Sequence, residues 1–306
     1  MGRYIARKLG WAVLTLVVVV LLTFVLLRLT GDPISEGMAA GGASPEEIAQ
    51  ARQALGYDRP IPVQFVDYFT GLFVGDFGTS LQYGGPALTI VLQRLPMTLY
   101  LAAVSLVMTL ALAIPAGLMA ARRPGGWADR IVSAVSGVML SVPSFVLGAA
   151  LILVFGVSLR LLPISGAGQP AAVILPALTL AVYPAARLAR IIRASMVEVA
   201  TMDFVRLGRA KGLPEGTVQR RFVFRNALLP VVTVLGIQMT FLIGGAVVVE
   251  AVFAWPGLGG LTTSALSSSD FDVVQTIVLI VAIGVILINF LTDVAYSLID
   301  PRIRYS

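Results

Sequence analysis

Residues 95–121 read LPMTLYLAAVSLVMTLALAIPAGLMAA and contain no Asp, Glu, Lys or Arg. A helix needs about 20 mostly apolar residues to cross the hydrocarbon core of a bilayer, so this run predicts a transmembrane helix. Five further uncharged runs qualify in the same way: 9–27, 131–159, 161–186, 226–249 and 273–292. A buried core helix would explain one such run but not six. The sequence therefore predicts an all-α polytopic membrane protein with about six transmembrane helices.

The composition supports this class and excludes several kinds of chemistry. Charged residues make up 12% of the 306 residues, against about 25% in a soluble protein. Cysteine and histidine are absent, which excludes disulfides, thiolate or imidazole metal sites and Ser–His catalysis. No G-x-x-x-x-G-K-[ST] loop occurs, so the usual phosphate-binding loop for ATP is missing. We expect a protein that is not an enzyme and has no cofactor of its own.

Basic residues are concentrated in alternate loops, and this bias predicts the orientation of the chain. The basic segments are Arg3–Lys8, 122–130 and 187–225, and the acidic ones are 29–94 and 250–272. Because cytoplasmic loops carry the excess of Lys and Arg, we expect both termini in the cytoplasm. The net charge is +6, and the basic residues cluster beside the apolar runs, which argues against nucleic acid as a partner.

The spans divide the chain into three parts: residues 1–28 with the first helix, an outer segment 29–94, and a five-helix part 95–306 with an inner segment 197–225. The first run exceeds the roughly 7–15 apolar residues of a signal peptide, and no A-x-A site follows it. We therefore expect the first helix to stay uncleaved.

The outer segment carries signals for local structure. Ser44-Pro45-Glu46-Glu47 has the pattern of a capping box with proline at the first helical position, and Gly56 is suited to end that helix. Residues 62–73 are rich in aromatic side chains, which is typical of a helix at the membrane interface. Gly75-Asp76-Phe77-Gly78 predicts a turn. A plain tether is the alternative, but these signals favour a small, partly helical cap.

The inner segment contains the stretch M196-VEVATMDFVRLGRAKGL-P214. Asp203 suits the N-cap of a short helix, and Gly212 with Pro214 would stop it. Apolar residues Phe204 and Leu207 recur at helical spacing beside arginines, so the helix is amphipathic. Physical reasoning alone leaves two occupants for its apolar face: a partner protein or anionic lipid.

Polar and proline residues within the spans are candidates for a translocation path. The polar residues are Ser141, Ser144, Asn226, Gln238, Thr240 and Asn289, and the prolines are Pro115, Pro143, Pro176 and Pro184. Hydrogen bonding between helices is the alternative role for the polar ones, and each proline removes a backbone hydrogen bond that can kink its helix. The runs contain no ionisable residue, which disfavours an ion-driven secondary transporter.

The inner stretch resembles the coupling loop of binding-protein-dependent ABC importers, in the branch that carries peptides and nickel. The positions on the family pattern are Glu198, Val199, Asp203, Phe204, Val205, Arg206, Arg209, Ala210, Lys211, Gly212 and Leu213, followed by 225–230. The branch is also similar at Gly31-Asp32-Pro33, 55–62, 75–80, 250–259 and Asp300-Pro301-Arg302. The 75–80 element is typical of the first of the two permease subunits in such systems.

There are two departures from the family pattern. The family motif opens with Glu-Ala-Ala or a variant of it. In this sequence Val199 replaces the first Ala, and Ala200 is the second. Phe222 stands where the family usually has His, and we expect this change to alter packing rather than coupling.

The resemblance implies a type I ABC importer permease, multi-pass in the bacterial inner membrane. Its implied partners are a second homologous permease, two ATP-binding subunits that hold ATP and Mg, membrane lipid, and an extracytoplasmic binding protein. That protein would dock on the cap and on the loop holding Trp255 and Asp270. The residues implied in coupling to the ATPase subunit are Glu198, Ala200, Asp203, Phe204, Leu207, Arg209, Ala210, Lys211 and Gly212, with Glu198 holding the loop through a nearby Arg.

The resemblance implies peptides, di- or oligopeptides, as cargo. Nickel chelate, glutathione and oligosaccharides are the alternatives within the same architecture. The absence of His and Cys weakens a metal site in this chain, but it does not affect a chelate that a binding protein holds.

Overall fold

The computed structural model describes the backbone of residues 2–32, 34–35, 38, 42–54 and 56–299. Within these ranges the strands and the α-helices of eight or more residues are α1 (Gly2–Thr30), α2 (Pro45–Ala54), α3 (Ile61–Phe73), β1 (Thr79–Ser80), β2 (Gly85–Pro86), α4 (Ala87–Arg122), α5 (Trp127–Ser141), α6 (Ser144–Leu151), α7 (Ile174–Ala200), α8 (Asp203–Ala210), α9 (Arg225–Val252), α10 (Leu258–Ser267) and α11 (Phe271–Ile299). A π-helix at Ile152–Ser158 continues α6, and another at Val218–Phe224 leads into α9. The predicted matches at Pro33, Leu55 and Asp300-Pro301-Arg302 lie outside the described residues.

Long apolar helices confirm the prediction of a polytopic all-α membrane protein. Among the described residues, four stretches are long and apolar enough to cross a bilayer: Arg7–Thr30, Ala87–Arg122, Pro170–Ala200 and Phe271–Thr292. A bent helix pair provides a further candidate, and the 28-residue α9 covers the predicted run 226–249. Each of the six predicted runs thus contains helix.

Two of the predicted runs differ in detail from the observed helices. The run 131–159 is not one straight helix, because α5 and the helical stretch Ser144–Ser158 meet at a bend of 105°. Pro143 stands at the break, where its ring blocks continuation of α5 and keeps Val142 extended. The run 161–186 is helical only from a 3₁₀ turn at Pro170–Val173 onward, and α7 continues past it to Ala200.

The chain forms two compact units, which cut across the three-part division expected from the spans. The described residues of 1–98 and 256–286 form the first unit, and those of 99–255 with 287–299 form the second. The first unit joins distant segments because α10 and the start of α11 share a buried apolar cluster with Leu27, Ala87 and Val91.

The outer segment is folded as expected and packs on α1. The Ser44 N–H donates to the Glu47 carboxylate at 2.7 Å and the Glu47 N–H donates to the Ser44 hydroxyl at 3.3 Å, so the capping box is confirmed. The aromatic helix α3 places Phe65 and Tyr68 against Phe24, with ring centroids 5.4 and 5.9 Å apart. The predicted turn at 75–78 leads into a two-stranded antiparallel pairing, Thr79 with Pro86 and Ser80 with Gly85.

In the second unit α7 is the central helix. Its buried residues, including Leu188, Ala189 and Ile192, form a cluster with residues of α4, α8 and α9. The backbones approach closely at Gly117 of α4, where a Cβ would lie 2.7 Å from the Ile192 side chain. Pro184 lies inside α7 without interrupting it, so among these prolines the chain breaks at Pro143.

Candidate functional site

The predicted coupling segment begins at the end of α7. Glu198 and Ala200 belong to the last turn of that helix, and Thr201 and Met202 make the bend into α8. The predicted N-cap at Asp203 is wrong, because Met202 occupies the N-cap and Asp203 is the first helical residue. The Asp203 carboxylate makes no capping hydrogen bond. It instead lies 3.5 Å from Arg206, at the helix end where the macrodipole favours an acid.

Helix α8 has one buried face and one exposed apolar face. Val205 is fully buried in the same cluster as Met196, Val199 and Val218, and Gly208 is buried beside the Phe222 ring. The predicted anchors point the other way, since Phe204 is 39% exposed and Leu207 is 56% exposed. The chain therefore holds α8 by Val205 and leaves Phe204 and Leu207 without apolar cover of its own.

Helix α8 ends in a Schellman motif, and Gly212 lies just past its end as predicted from the sequence. The Gly212 N–H donates to the Arg209 carbonyl at 2.9 Å, and the Leu213 N–H donates to the Gly208 carbonyl at 3.4 Å. Gly212 has φ of +72°, which side-chain-bearing residues resist, while Lys211 is the C-cap. Ala210 is the exposed last residue of the helix.

A polar network ties α8 to the segment that follows it. The Arg209 guanidinium donates to both Glu215 carboxylate oxygens, at 3.1 and 3.0 Å, and to the Ala200 carbonyl at 3.3 Å. Hydrogen bonds from Arg209 and then from Gln219 lower the pKa of Glu215, and the same carboxylate raises the pKa of Arg209. Arg209 thus braces both ends of the loop.

Glu215 was missed by sequence reasoning, which assigned a bracing role to Glu198. Glu198 is exposed, and within the described part of the chain its carboxylate makes no ion pair. The signal that could have identified Glu215 is its place directly after Pro214, at the start of a helical turn six residues beyond Arg209.

The predicted pathway residues occupy different surroundings. The Ser141 hydroxyl donates to the Gly137 carbonyl within α5, and Ser144 opens α6. The Asn226 amide donates to the Phe222 carbonyl at 2.6 Å, and Asn289 is an exposed residue of α11. Gln238 is 1% exposed, and neither of its amide atoms has a hydrogen-bond partner in the described residues. The Thr240 side chain lies outside those residues.

The acidic loop predicted to face a partner is largely buried within the chain. Trp255 is 3% exposed and stacks on Tyr100, with ring centroids 6.3 Å apart. Asp270 is 1% exposed and accepts a hydrogen bond from Ser80. These two side chains are therefore held within the chain, and the docking of a binding protein on the loop that carries them stays a prediction.

Two family models match the chain. Residues 113–305 match the model described as "Binding-protein-dependent transport system inner membrane component", and residues 1–102 match its N-terminal counterpart. The chain belongs to this family. It is accordingly a multi-pass permease of the ABC importer class in the bacterial inner membrane, a membrane component of a transport system.

Curated relatives align with the permease over its whole length. A probable peptide ABC transporter permease protein, y4tP of Sinorhizobium fredii, is 38% identical with full coverage of both chains. The glutathione transport system permease protein GsiC is 40% identical in Escherichia coli K12 and 39% identical in Salmonella typhimurium, again over both full chains. These values place the permease in the dipeptide and oligopeptide branch of the family.

Solved structures support the type I permease fold. The inward-facing MetNI methionine ABC transporter superposes with a TM-score of 0.57 and 23% identity, covering 69% of the permease and 96% of that chain. An amino acid ABC transporter crystallised with histidines gives a TM-score of 0.52 and 18% identity.

Proposed function

We propose that the permease conducts small peptides received from an extracytoplasmic binding protein, together with a second homologous permease and two ATP-binding subunits. The proposed coupling to the ATP-binding subunits rests on one observation: α8 exposes Phe204 and Leu207, while the buried Val205 holds the helix against the rest of the chain. Fully burying such side chains on a partner stabilises the contact by about 1.5–3 kcal/mol each. A short helix braced at both ends can pass movement of the ATP-binding subunit to α7.

Anionic lipid is the other candidate for this face. Arg206 and Lys211 beside it would suit a lipid surface. The bracing by Arg209 and Glu215 favours a protein partner, since a helix that only rests on lipid needs no fixed geometry.

The cargo proposal is supported by the full-length relatives, whose names specify peptides and glutathione. Glutathione is itself a small peptide with a free amino group and free carboxylates. The cargoes in both relatives' names are therefore zwitterionic peptides. Glutathione therefore stays the second candidate cargo, ahead of nickel chelate and oligosaccharides.

Uptake into vesicles tests this function directly. The permease, its partner subunits and the binding protein are reconstituted with ATP trapped on the cytoplasmic side and with ion gradients collapsed by ionophores. We expect uptake of labelled alanyl-alanine that requires ATP and the binding protein. In parallel vesicles without ATP but with an imposed ion gradient, uptake that stops when the gradient is collapsed would contradict the proposal and support secondary transport.

The charge bias predicts that Val74 is outside and Lys211 inside. The chain has no cysteine, so single-cysteine variants at these two exposed positions report access without background. We expect a membrane-impermeant thiol reagent to label Val74→Cys in intact cells and to label Lys211→Cys only after the cells are broken. The reverse pattern would overturn the orientation.

A further inference from the structure

A cavity of about 520 Å³ lies within the first unit. It is bounded by the end of α1, the aromatic helix α3, the β-hairpin and the start of α11. Its charged and amide-bearing lining residues are Arg28, Arg59, Gln64, Asp67, Asp76, Asp270, Asp272 and Gln275. The volume falls within the range of about 300–1,000 Å³ typical of small-molecule sites.

Several polar atoms in this lining are buried and lack a partner among the described residues. They are Nε and Nη1 of Arg28, Oε1 of Gln64, Oδ1 of Asp270 and Nε2 of Gln275. Asp270 is 1% exposed and Gln275 is 3% exposed, so bulk water does not satisfy them freely. Buried polar groups almost always have partners in native proteins, so a set of open donors and acceptors around one cavity indicates a ligand.

The open atoms are held in place by their neighbours. Oδ2 of Asp270 accepts hydrogen bonds from the Ser80 hydroxyl and from the Gln82 N–H at 3.3 Å, which leaves Oδ1 for a ligand. The Arg28 guanidinium lies 4.0 Å from the centroid of the Tyr57 ring and 5.1 Å from that of Phe24. Both the acid and the guanidinium are thus positioned before any ligand arrives.

The charges of the lining specify the kind of ligand. Arg59 and Asp67 pair with each other at 3.0 Å. The remaining charged lining residues are one arginine, Arg28, and three acids, Asp76, Asp270 and Asp272. Asp272 accepts a hydrogen bond from the Thr79 N–H, and Asp76 accepts one from the Gly78 N–H. An excess of acids beside one cation suits a molecule that carries an ammonium group and a carboxylate. The described residues contain no cluster of three or more acids that could hold a metal ion, which disfavours a bare divalent cation.

We propose that this cavity binds a small zwitterionic peptide, with its ammonium group at Asp270 and Asp272 and its carboxylate at Arg28. The inference rests on the proposed function, which supplies such a peptide on this side of the membrane. The site would take the cargo after it leaves the binding protein and before it enters the spans.

Peptides with one blocked end test the proposal on the unaltered permease complex. The complex is purified in lipid nanodiscs without the binding protein, and equilibrium binding is measured for labelled alanyl-alanine, N-acetyl-alanyl-alanine and alanyl-alanine amide. We expect the free dipeptide to bind at least about tenfold more tightly than either blocked form, because each loses one charge-assisted contact. Equal binding of all three probes, or no binding of the free dipeptide, would overturn the proposal.

Variants then assign each end of the peptide. Asp270→Asn should weaken the binding of alanyl-alanine by the same factor as acetylation of the peptide does, and it should not weaken the binding of the acetylated peptide further. Arg28→Gln should weaken the binding of alanyl-alanine by the same factor as amidation does, and it should not weaken the binding of the amide further. Asp58→Asn is the matched control, because its carboxylate is exposed and does not line the cavity, and it should bind as the wild type does. Wild-type binding by both Asp270→Asn and Arg28→Gln would refute the assignment.

A second measurement places the ligand in the cavity. Leu81 lines the cavity and is 49% exposed, so Leu81→Cys gives a single reactive thiol there. We expect alanyl-alanine to slow the alkylation of this thiol, and we expect the acetylated form not to do so at the same concentration.

The vesicle uptake assay distinguishes the cavity proposal from the proposed transport function. If ATP-driven dipeptide uptake occurs while neither binding nor protection is found, the cavity proposal fails and the transport function stands. Absent uptake with intact binding would refute the transport function instead.

Discussion

Replacing Leu207 with aspartate should release the ATP-binding subunits from the permease and abolish ATP-driven uptake. The change removes an apolar contact worth about 1.5–3 kcal/mol and places an unpaired carboxylate in the interface. A combined loss of about 4 kcal/mol weakens the complex about a thousandfold. Folding should be preserved, because Leu207 is 56% exposed while Val205 supplies the intrachain packing of α8. Co-purification of the subunits and uptake in vesicles measure the effect.

The matched control is Val74→Asp. Val74 is 83% exposed in the loop after α3, on the face that the charge bias places outside. It receives the same charge at an exposed apolar position, and the ATP-binding subunits should remain bound. If Leu207→Asp keeps an intact complex with full uptake and shows only weaker adsorption to anionic vesicles, the lipid alternative is correct and the coupling assignment is wrong.

Replacing Arg193 with methionine should destabilise the second unit more than replacing an arginine of a fully exposed ion pair, because Asp129 loses a bidentate partner. Asp129 of α5 is 4% exposed and receives hydrogen bonds from the Arg193 side chain, the Gly125 N–H and the Ser133 hydroxyl. Without the guanidinium the Asp129 carboxylate keeps only the Gly125 N–H and the Ser133 hydroxyl as donors. Unfolding of the purified permease in detergent, followed by heat or by denaturant, measures the loss.

Replacing Asp129 instead of Arg193 should reduce the stability of the second unit less, and this difference makes the prediction specific. Asp129→Asn leaves a charge on Arg193, whose side chain is 33% exposed and can reach water. The double variant Asp129→Asn with Arg193→Met should recover much of the stability lost in Arg193→Met alone, because no buried charge remains. Arg206→Met is the control: its pair with Asp203 is exposed, at 69% and 99%, and should contribute less than about 1 kcal/mol. Equal losses for Arg193→Met and Arg206→Met would contradict this account.

The sequence by itself determined the features that depend on local composition. Uncharged runs predicted the membrane helices, because the bilayer core excludes charge whatever the tertiary structure. The capping box at Ser44–Glu47 and the helix stop at Gly212 were predictable for the same reason, since each is complete within a few residues. The inner motif and its accompanying elements were sufficient to indicate the family that the comparisons then confirmed.

The tertiary structure decided which local signals took effect and which distant residues met. Pro143 breaks its span while Pro184 stays inside α7, because surrounding helices determine whether a proline is accommodated. Asp270 accepts a hydrogen bond from Ser80 across 190 positions in sequence, a partnership that no local pattern indicates. Arg28 joins the same cavity only because α10 and the start of α11 pack on the end of α1. Side-chain partnerships of this kind depend on packing between elements, which composition and periodicity do not encode.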